Sequence, residues 1–554
     1  MRDLTRREFL AATVGAASAG LVDAGHAAGD GEVLYNGIRL AEPWPPRNRV
    51  LDDVLREPPY LRDPPAVIPI DVGRQLFVDD FLIEENGLHR VFHRARYHPA
   101  NPVLQPATAW ERRDEYADRT GTPPNPSAMV FSDGVFYDPA DRLYKMWYMG
   151  GYLQHTCLAS SADGVTWERP SFDVRRGTNI VFSDLRDSNT VWLNLDAADG
   201  RRYKMASYNG SENGMVLSES ADGIHWRRVG LTGPTGDRST MFWNPFRKVW
   251  VFSLRAEQLG VYGRFRRYWE SRDFASTTWR GDELPYWIKS DVLDPRRPDT
   301  ATAPELYALD CVAYESIILG LFTIFRGERP EREKPNDICL GFSRDGFHWS
   351  RPDRRPFIGV SERVGDWNWA NVQSAGGCCL VVGDQLYFYV SGRKGRPGTS
   401  LPGVCSTGLA TLRRDGFASL TDTPDDDSAP RAVAIARTPN AVTTRPLRFS
   451  GTHLFVNANA SGGEIRAEIL DRSGRVIALF TRDRSVPIVA DSTRQEVTWR
   501  DGAKLAQLRG EAVRLRFFVT RSHLFSFWIT DSPAGASHGY VAAGGPGFSS
   551  ATDQ

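Results

Sequence analysis

A seven-residue phrase recurs along the middle of the chain and restricts the fold more than any other feature. It reads Ser161-Ala-Asp-Gly-Val-Thr-Trp167, then Ser220-Ala-Asp-Gly-Ile-His-Trp226, then Ser343-Arg-Asp-Gly-Phe-His-Trp349. A stretched copy, Ser271-Arg-Asp-Phe-Ala-Ser-Thr-Thr-Trp279, and a shortened one, Arg414-Asp-Gly-Phe417, fill the gaps. The aspartates at 163, 222, 273, 345 and 415 stand 59, 51, 72 and 70 residues apart. Copies at such intervals suit radial repetition of a small antiparallel sheet, one sheet per copy.

The phrase has a mechanical meaning. Asp-Gly makes a tight turn, because Gly takes a positive φ without steric cost and the Asp side chain caps neighbouring backbone N–H groups. The Trp then returns the chain to a buried strand and packs between sheets. These residues read as structural staples, and the chemistry lies elsewhere. Short aromatic and β-branched runs precede each turn, among them Tyr144-Lys-Met-Trp-Tyr148 and Tyr203-Lys-Met205, with Asp, Gly, Pro and Asn between them. Such runs read as strands, and no long 3.6-residue apolar period competes with them. The expectation is an all-β protein: a five-bladed β-propeller, four strands to a blade, followed by a C-terminal β-sandwich.

Lys+Arg and Asp+Glu number 68 each, with no basic stripe, so nucleic acid is not an expected partner. The N-terminus runs Thr5-Arg-Arg-Glu-Phe-Leu10, a small apolar stretch to Val22, then Gly25-His-Ala-Ala28. That order reads as a twin-arginine export signal over residues 1–28. It leaves a periplasmic or secreted protein with no membrane anchor after cleavage. The six cysteines and ten histidines show no zinc-type spacing. No metal ligand and no cofactor is expected, with a calcium ion in the channel left open.

A Pro-rich arm spans 29–70, the propeller 71–430, a polar hinge Thr421 to Pro430, the sandwich 433–542, and a disordered tail 543–554. Propeller followed by sandwich resembles glycoside hydrolase family 32, and the propeller also resembles families 43 and 130. The likeness rests on Leu76-Phe-Val-Asp-Asp-Phe-Leu-Ile83, Asn101-Pro-Val-Leu104, Asn125-Pro-Ser-Ala128 and the repeated turn phrase. It implies an exported carbohydrate-active enzyme acting on an oligo- or polysaccharide.

In a propeller the first strand of each blade lines the central axis, and ligands enter at one end of it. Repeat phase puts Asp187, Asp237 and Asp310 at the starts of such strands. With Asp80 they are the candidate catalytic carboxyls, since glycoside hydrolysis needs one acid and one carboxylate. Arg238, Glu111, Asn125, Glu305, Asp366, Trp367 and Asn371 are the candidate substrate-binding residues. Two alternatives stay open: a sialidase-like enzyme, suggested by the Asp-box character of the turn, and a non-catalytic glycan-binding propeller. The oligomeric state is not readable.

Overall fold

Pairing of the short apolar runs produces sheet after sheet. The structure, a computed structural model, describes residues 31–53, 56–197, 200–258, 260–399, 401–423 and 438–554. The export signal lies outside the described residues, as does the polar stretch from 424 to 437.

Five antiparallel sheets follow one another. The first holds Ala128–Asp138, Leu143–Gly150, His155–Ser161 and Ile180–Phe182. The second holds Ser188–Leu193, Tyr203–Tyr208, Val216–Ser220 and Arg227–Leu231. The third holds Thr240–Asn244, Val249–Gln258, Gly263–Ser271 and Tyr286–Lys289. The fourth is built on Glu305–Glu315, Ile317–Phe325 and Asn336–Ser343, with single bridges to Ser350 and Ile358 at its outer edge. The fifth runs from Asn371–Ser374 through Gln385–Arg393 and Cys405–Arg413 to Arg96–Tyr97. That last strand comes from upstream of the first sheet and pairs Tyr97 with Ala410, fastening the end of the ring to its beginning. The first strands touch in succession, and the fifth touches the first. The all-β expectation holds.

The recurrent turns follow the third strand of each sheet and lead to its outer edge. Asp163 Oδ1 accepts from the N–H groups of Val165 and Thr166, both at 2.7 Å. Asp222 and Asp345 repeat this with Ile224, His225, Phe347 and His348 at 2.8–2.9 Å. Each turn is also held by the preceding sheet. Trp147 Nε1 donates to the Gly223 carbonyl at 2.9 Å, and Tyr389 Oη to that of Gly164 at 2.5 Å. Gly223 has φ +79°, and a Cβ there would lie 2.5 Å from the Trp147 ring, so both conformation and space demand glycine.

The fifth copy departs from the other four. Asp415 is fully buried and accepts from Arg74 Nη1 at 2.9 Å, Ser526 Oγ at 2.7 Å and Tyr314 Oη at 2.5 Å. Arg74 lies beneath Trp528, 4.1 Å from its ring centroid. Having lost the Trp, this turn ties the ring to the C-terminal sheets.

Those sheets share one apolar core. One contains Asp491–Val497, His453–Asn459, His523–Thr530, Ala418–Thr421 and His89–Phe92; the other Glu464–Leu470, Arg514–Thr520, Ala441–Thr444 and Ile83–Asn86. Residues 75–92, placed within the propeller by the sequence reading, thus supply strands here. Ile68–Pro69 of the arm pairs with Leu447–Arg448. The tail is likewise not disordered. Ala543 N–H donates to the Cys379 carbonyl and its own carbonyl accepts from Tyr137 N–H, both at 3.0 Å, while Tyr540–Val541 pairs with Glu315 and Tyr314.

Candidate functional site

The two ends of the ring axis are unlike. At the C-terminal ends of the first strands, the tail lies across Tyr137, Tyr314 and Cys379 and covers the axis. The N-terminal starts of the same strands form the other end, and the charged groups gather there.

Arg238 organises this mouth. Its φ of +57° is uncommon for a side-chain-bearing residue. Its N–H donates to Ser188 Oγ at 2.8 Å. That bond draws the lead into the third sheet against the start of the second, bringing Asp237 beside Asp187. Asp187 is half-buried, its own N–H donates to the Tyr208 carbonyl at 2.8 Å, and its Oδ1 is buried without a hydrogen-bond partner. Burial, with the neighbouring Asp237 charge next, raises the Asp187 carboxyl from 3.8 to about 6. Asp237 is held differently: its carboxylate is ion-paired to Arg255, which also reaches Glu257 at 2.7 Å.

Beneath this rim lies a charged floor. Arg238 is 1% exposed; its Nη1 donates to Ser132 Oγ, and its guanidinium lies 4.0 Å from the Phe131 ring centroid. Arg266 donates to the carbonyls of Arg238 and Tyr307, and burial with the adjacent Arg238 charge lowers it to about 9. Asp310 is 2% exposed and accepts from Ser374 Oγ at 2.5 Å; burial raises its pKa. Arg186 and Asp133 form a sealed bidentate pair nearby.

The structure therefore brings Asp187, Asp237, Arg238 and Asp310 to one end of the axis, the first two on the rim and the last below it. Other sequence candidates do not join them. Asp80 is exposed in the turn leading to Ile83–Asn86 and is paired with Arg90 at 2.5 Å. Glu111 is buried on the flank of the first sheet, where it closes a helix-capping box and accepts from Tyr148 Oη at 2.6 Å and Arg169 Nε at 2.8 Å. Burial opposes its ionisation, but these donors outweigh burial and lower its pKa. Asn125 is consumed by Asp114 and by the Gly403 N–H, at 2.9 and 3.0 Å. Trp367 lies over Gly392 and Gly408, where a Cβ would approach it to 2.2 and 2.1 Å, and meets Tyr97 edge-on. Asp366 accepts from Ser361 and Arg363 in a local turn. Glu305 starts its first strand half-buried and takes Arg264 Nη1 at 3.1 Å. Asn371 is buried and accepts from Gln373 Nε2 at 3.2 Å.

Sequence reasoning missed Tyr208, Arg255 and Arg393. They stand at or near the ends of second strands, which return to the mouth in antiparallel fashion. Strand polarity was the signal that could have found them. Among the described residues, no group of three or more His, Cys, Asp or Glu could hold a metal ion. All six cysteines are buried and free, and no described helix is long and apolar enough to cross a membrane.

The chain is thus an all-β protein with a ring of five sheets and an Asp- and Arg-lined axial mouth. No protein-family model matches it, and no curated protein does. Among solved structures it is similar to an N-acetylgalactosamine deacetylase from F. plautii in complex with blood group B trisaccharide, at 14% identity over 57% of this chain and 97% of that one, TM-score 0.36. It is similar to a thermostable family-43 glycoside hydrolase, at 11% identity over 55% of this chain and 100% of that one, TM-score 0.35. It is also similar to an exo-beta-1,3-galactanase from Phanerochaete chrysosporium with galactose, at 11% identity over 76% of this chain and 99% of that one, TM-score 0.34.

Proposed function

We propose that the ring is a five-bladed propeller and that the protein is an exported glycosidase, cleaving an oligo- or polysaccharide at the axial mouth. One observation carries the reading. Two carboxyl groups from adjacent sheets share the rim in opposed environments: Asp187 is held up to about 6 by burial and by Asp237, whereas Asp237 is ion-paired to Arg255. Carboxyls whose surroundings are driven apart in this way suit an acid and a base. Protonated Asp187 gives its proton to the leaving glycosidic oxygen as the C–O bond breaks. Asp237 attacks the anomeric carbon, or takes a proton from the water that does; the stereochemistry of the product decides which. Asp310 lies beneath them, accepting from Ser374 and electrostatically coupled to Arg238 and Arg266.

The twin-arginine phrase at Arg6-Arg7 supports export to the periplasm or beyond. The test is incubation of the purified chain with plant and algal polysaccharides and aryl glycosides, followed by detection of released sugar. Release from at least one substrate is expected. Binding without release would make the ring a glycan-binding module, and neither binding nor release would overturn the reading.

A further inference from the structure

Three arginines at the mouth, Arg238, Arg266 and Arg393, make no ion pair, although Arg186 and Arg255 beside them are both paired with aspartates. Arg266 is engaged by two backbone carbonyls, which accounts for its place in the floor. Arg238 and Arg393 are not accounted for in this way. Arg238 is 1% exposed, yet its Nε and Nη2 have no hydrogen-bond partner. Ser132 Oγ satisfies Nη1 alone, and a buried guanidinium with its other donors unmet costs several kcal/mol unless it serves a purpose. Arg393 is half-buried, its side chain makes no hydrogen bond, and its Nε is buried without a partner.

The same ring holds both guanidiniums, with Phe131 4.0 Å from Arg238 and 5.3 Å from Arg393; Tyr152 lies 5.9 Å from the latter. Stacking on aromatic faces leaves guanidinium edges free to donate. Asp187 interacts electrostatically with both arginines, but its own proton is retained up to about 6. Asp310 is the stronger electrostatic neighbour of Arg238, but neither aspartate makes an ion pair with Arg238 or Arg393.

We propose that Arg238 and Arg393 form an anion-recognition subsite, so that the glycan cleaved here carries a negatively charged group, a carboxylate or a sulfate ester, on the sugar bound at the mouth. This rests on the reading of the mouth as a glycan site. Planar guanidinium edges match the oxygens of either anion, and charge-assisted bonds of this kind are about twice as strong as neutral ones. Asp187, Asp237 and Asp310, the acidic groups facing the subsite, set it against a second carboxylate unless that group meets an arginine.

Isothermal titration of the full chain against galacturonate, glucuronate, galactose 6-sulfate, galactose and glucose tests this, at low and at high salt. At least one acidic sugar is expected to bind about tenfold or more tightly than its neutral counterpart, a preference that shrinks with salt. Which acid wins separates carboxylate from sulfate. Arg393→Gln is expected to remove most of the preference for the acidic sugar; being half-buried, it is the variant of choice should Arg238→Gln fail to fold. Neutral sugars bound as tightly as the acids, or an unchanged preference in Arg393→Gln, would overturn the subsite and leave the glycan site standing. No sugar bound at all would overturn both.

Discussion

Replacing Asp187 with Asn should stabilise the protein at neutral pH while destroying its activity. Burial and the Asp237 charge disfavour its ionised form and push the carboxyl up from the ordinary 3.8 to about 6 in the folded chain. A raised carboxyl pKa means that the folded state binds the proton more tightly than the unfolded state. The fold therefore loses stability as pH rises from about 4 to about 6 and has lost the full amount above that. A gap of roughly two units corresponds to about 3 kcal/mol, which solvent at this half-buried rim reduces to about 1–3 kcal/mol. Asn keeps the shape and never ionises. Thermal unfolding of wild type and Asp187→Asn should coincide near pH 4, and the variant should melt higher at pH 7.5. The chain has more than one core, so the pH dependence of the difference is the quantity to read, not an absolute free energy. An offset that is equal at both pH values, or a variant less stable at pH 7.5, would refute the claim that Asp187 is held protonated by its surroundings.

Further outcomes follow from the same geometry. Turnover should fall as pH rises through about 6, because the acid must carry its proton; a rate that climbs steadily to pH 9 would contradict Asp187 as donor. Gly223→Ala should destabilise the protein more than Gly177→Ala, although both have φ +79°, since only the first Cβ meets Trp147; melting curves of the pair isolate that contact, about 1–3 kcal/mol. Asp415→Ala should cost about 3–5 kcal/mol by removing one of two buried carboxylates paired with Arg74, along with the acceptor of Tyr314 and Ser526, seen as a lower midpoint in denaturant. Arg74 and Arg414 outweigh burial and hold the Asp415 carboxyl near 2, so its contribution is present above about 4 and fades as pH falls toward 2. Deleting residues 540–554 should expose the covered end of the axis and lower the melting temperature; an unchanged melt would contradict a structural role for the tail.

Sequence patterns revealed local structure far better than distant pairing. The Ser-x-Asp-Gly-x-x-Trp turns were readable because their hydrogen bonds close within four residues. Their phase was enough to place Asp187, Asp237 and Asp310 at one end of the axis. Asp80 was misplaced because its neighbours are strands that pair with 441–444 and 526–527, far down the chain. The tail looked disordered for the same reason: its small residues carry no periodic pattern, and its order comes from bonds to Tyr137 and Cys379. Arg393 and Arg255 are not marked by the phase of the first strands, because second strands deliver their C-terminal ends to the same mouth. Glu111 and Asn125 look like site residues in isolation, but their polar atoms are bound by neighbouring side chains and backbone groups.

The most direct test of the central claim is the turnover of Asp187→Asn and Asp237→Asn on a substrate identified with the wild-type chain. Both variants keep the shape of the mouth and remove a carboxyl. Each should lose about two to four orders of magnitude in kcat while retaining a cooperative melt. Near-wild-type turnover in both would show that these carboxyls only line the axis and that other groups carry the reaction.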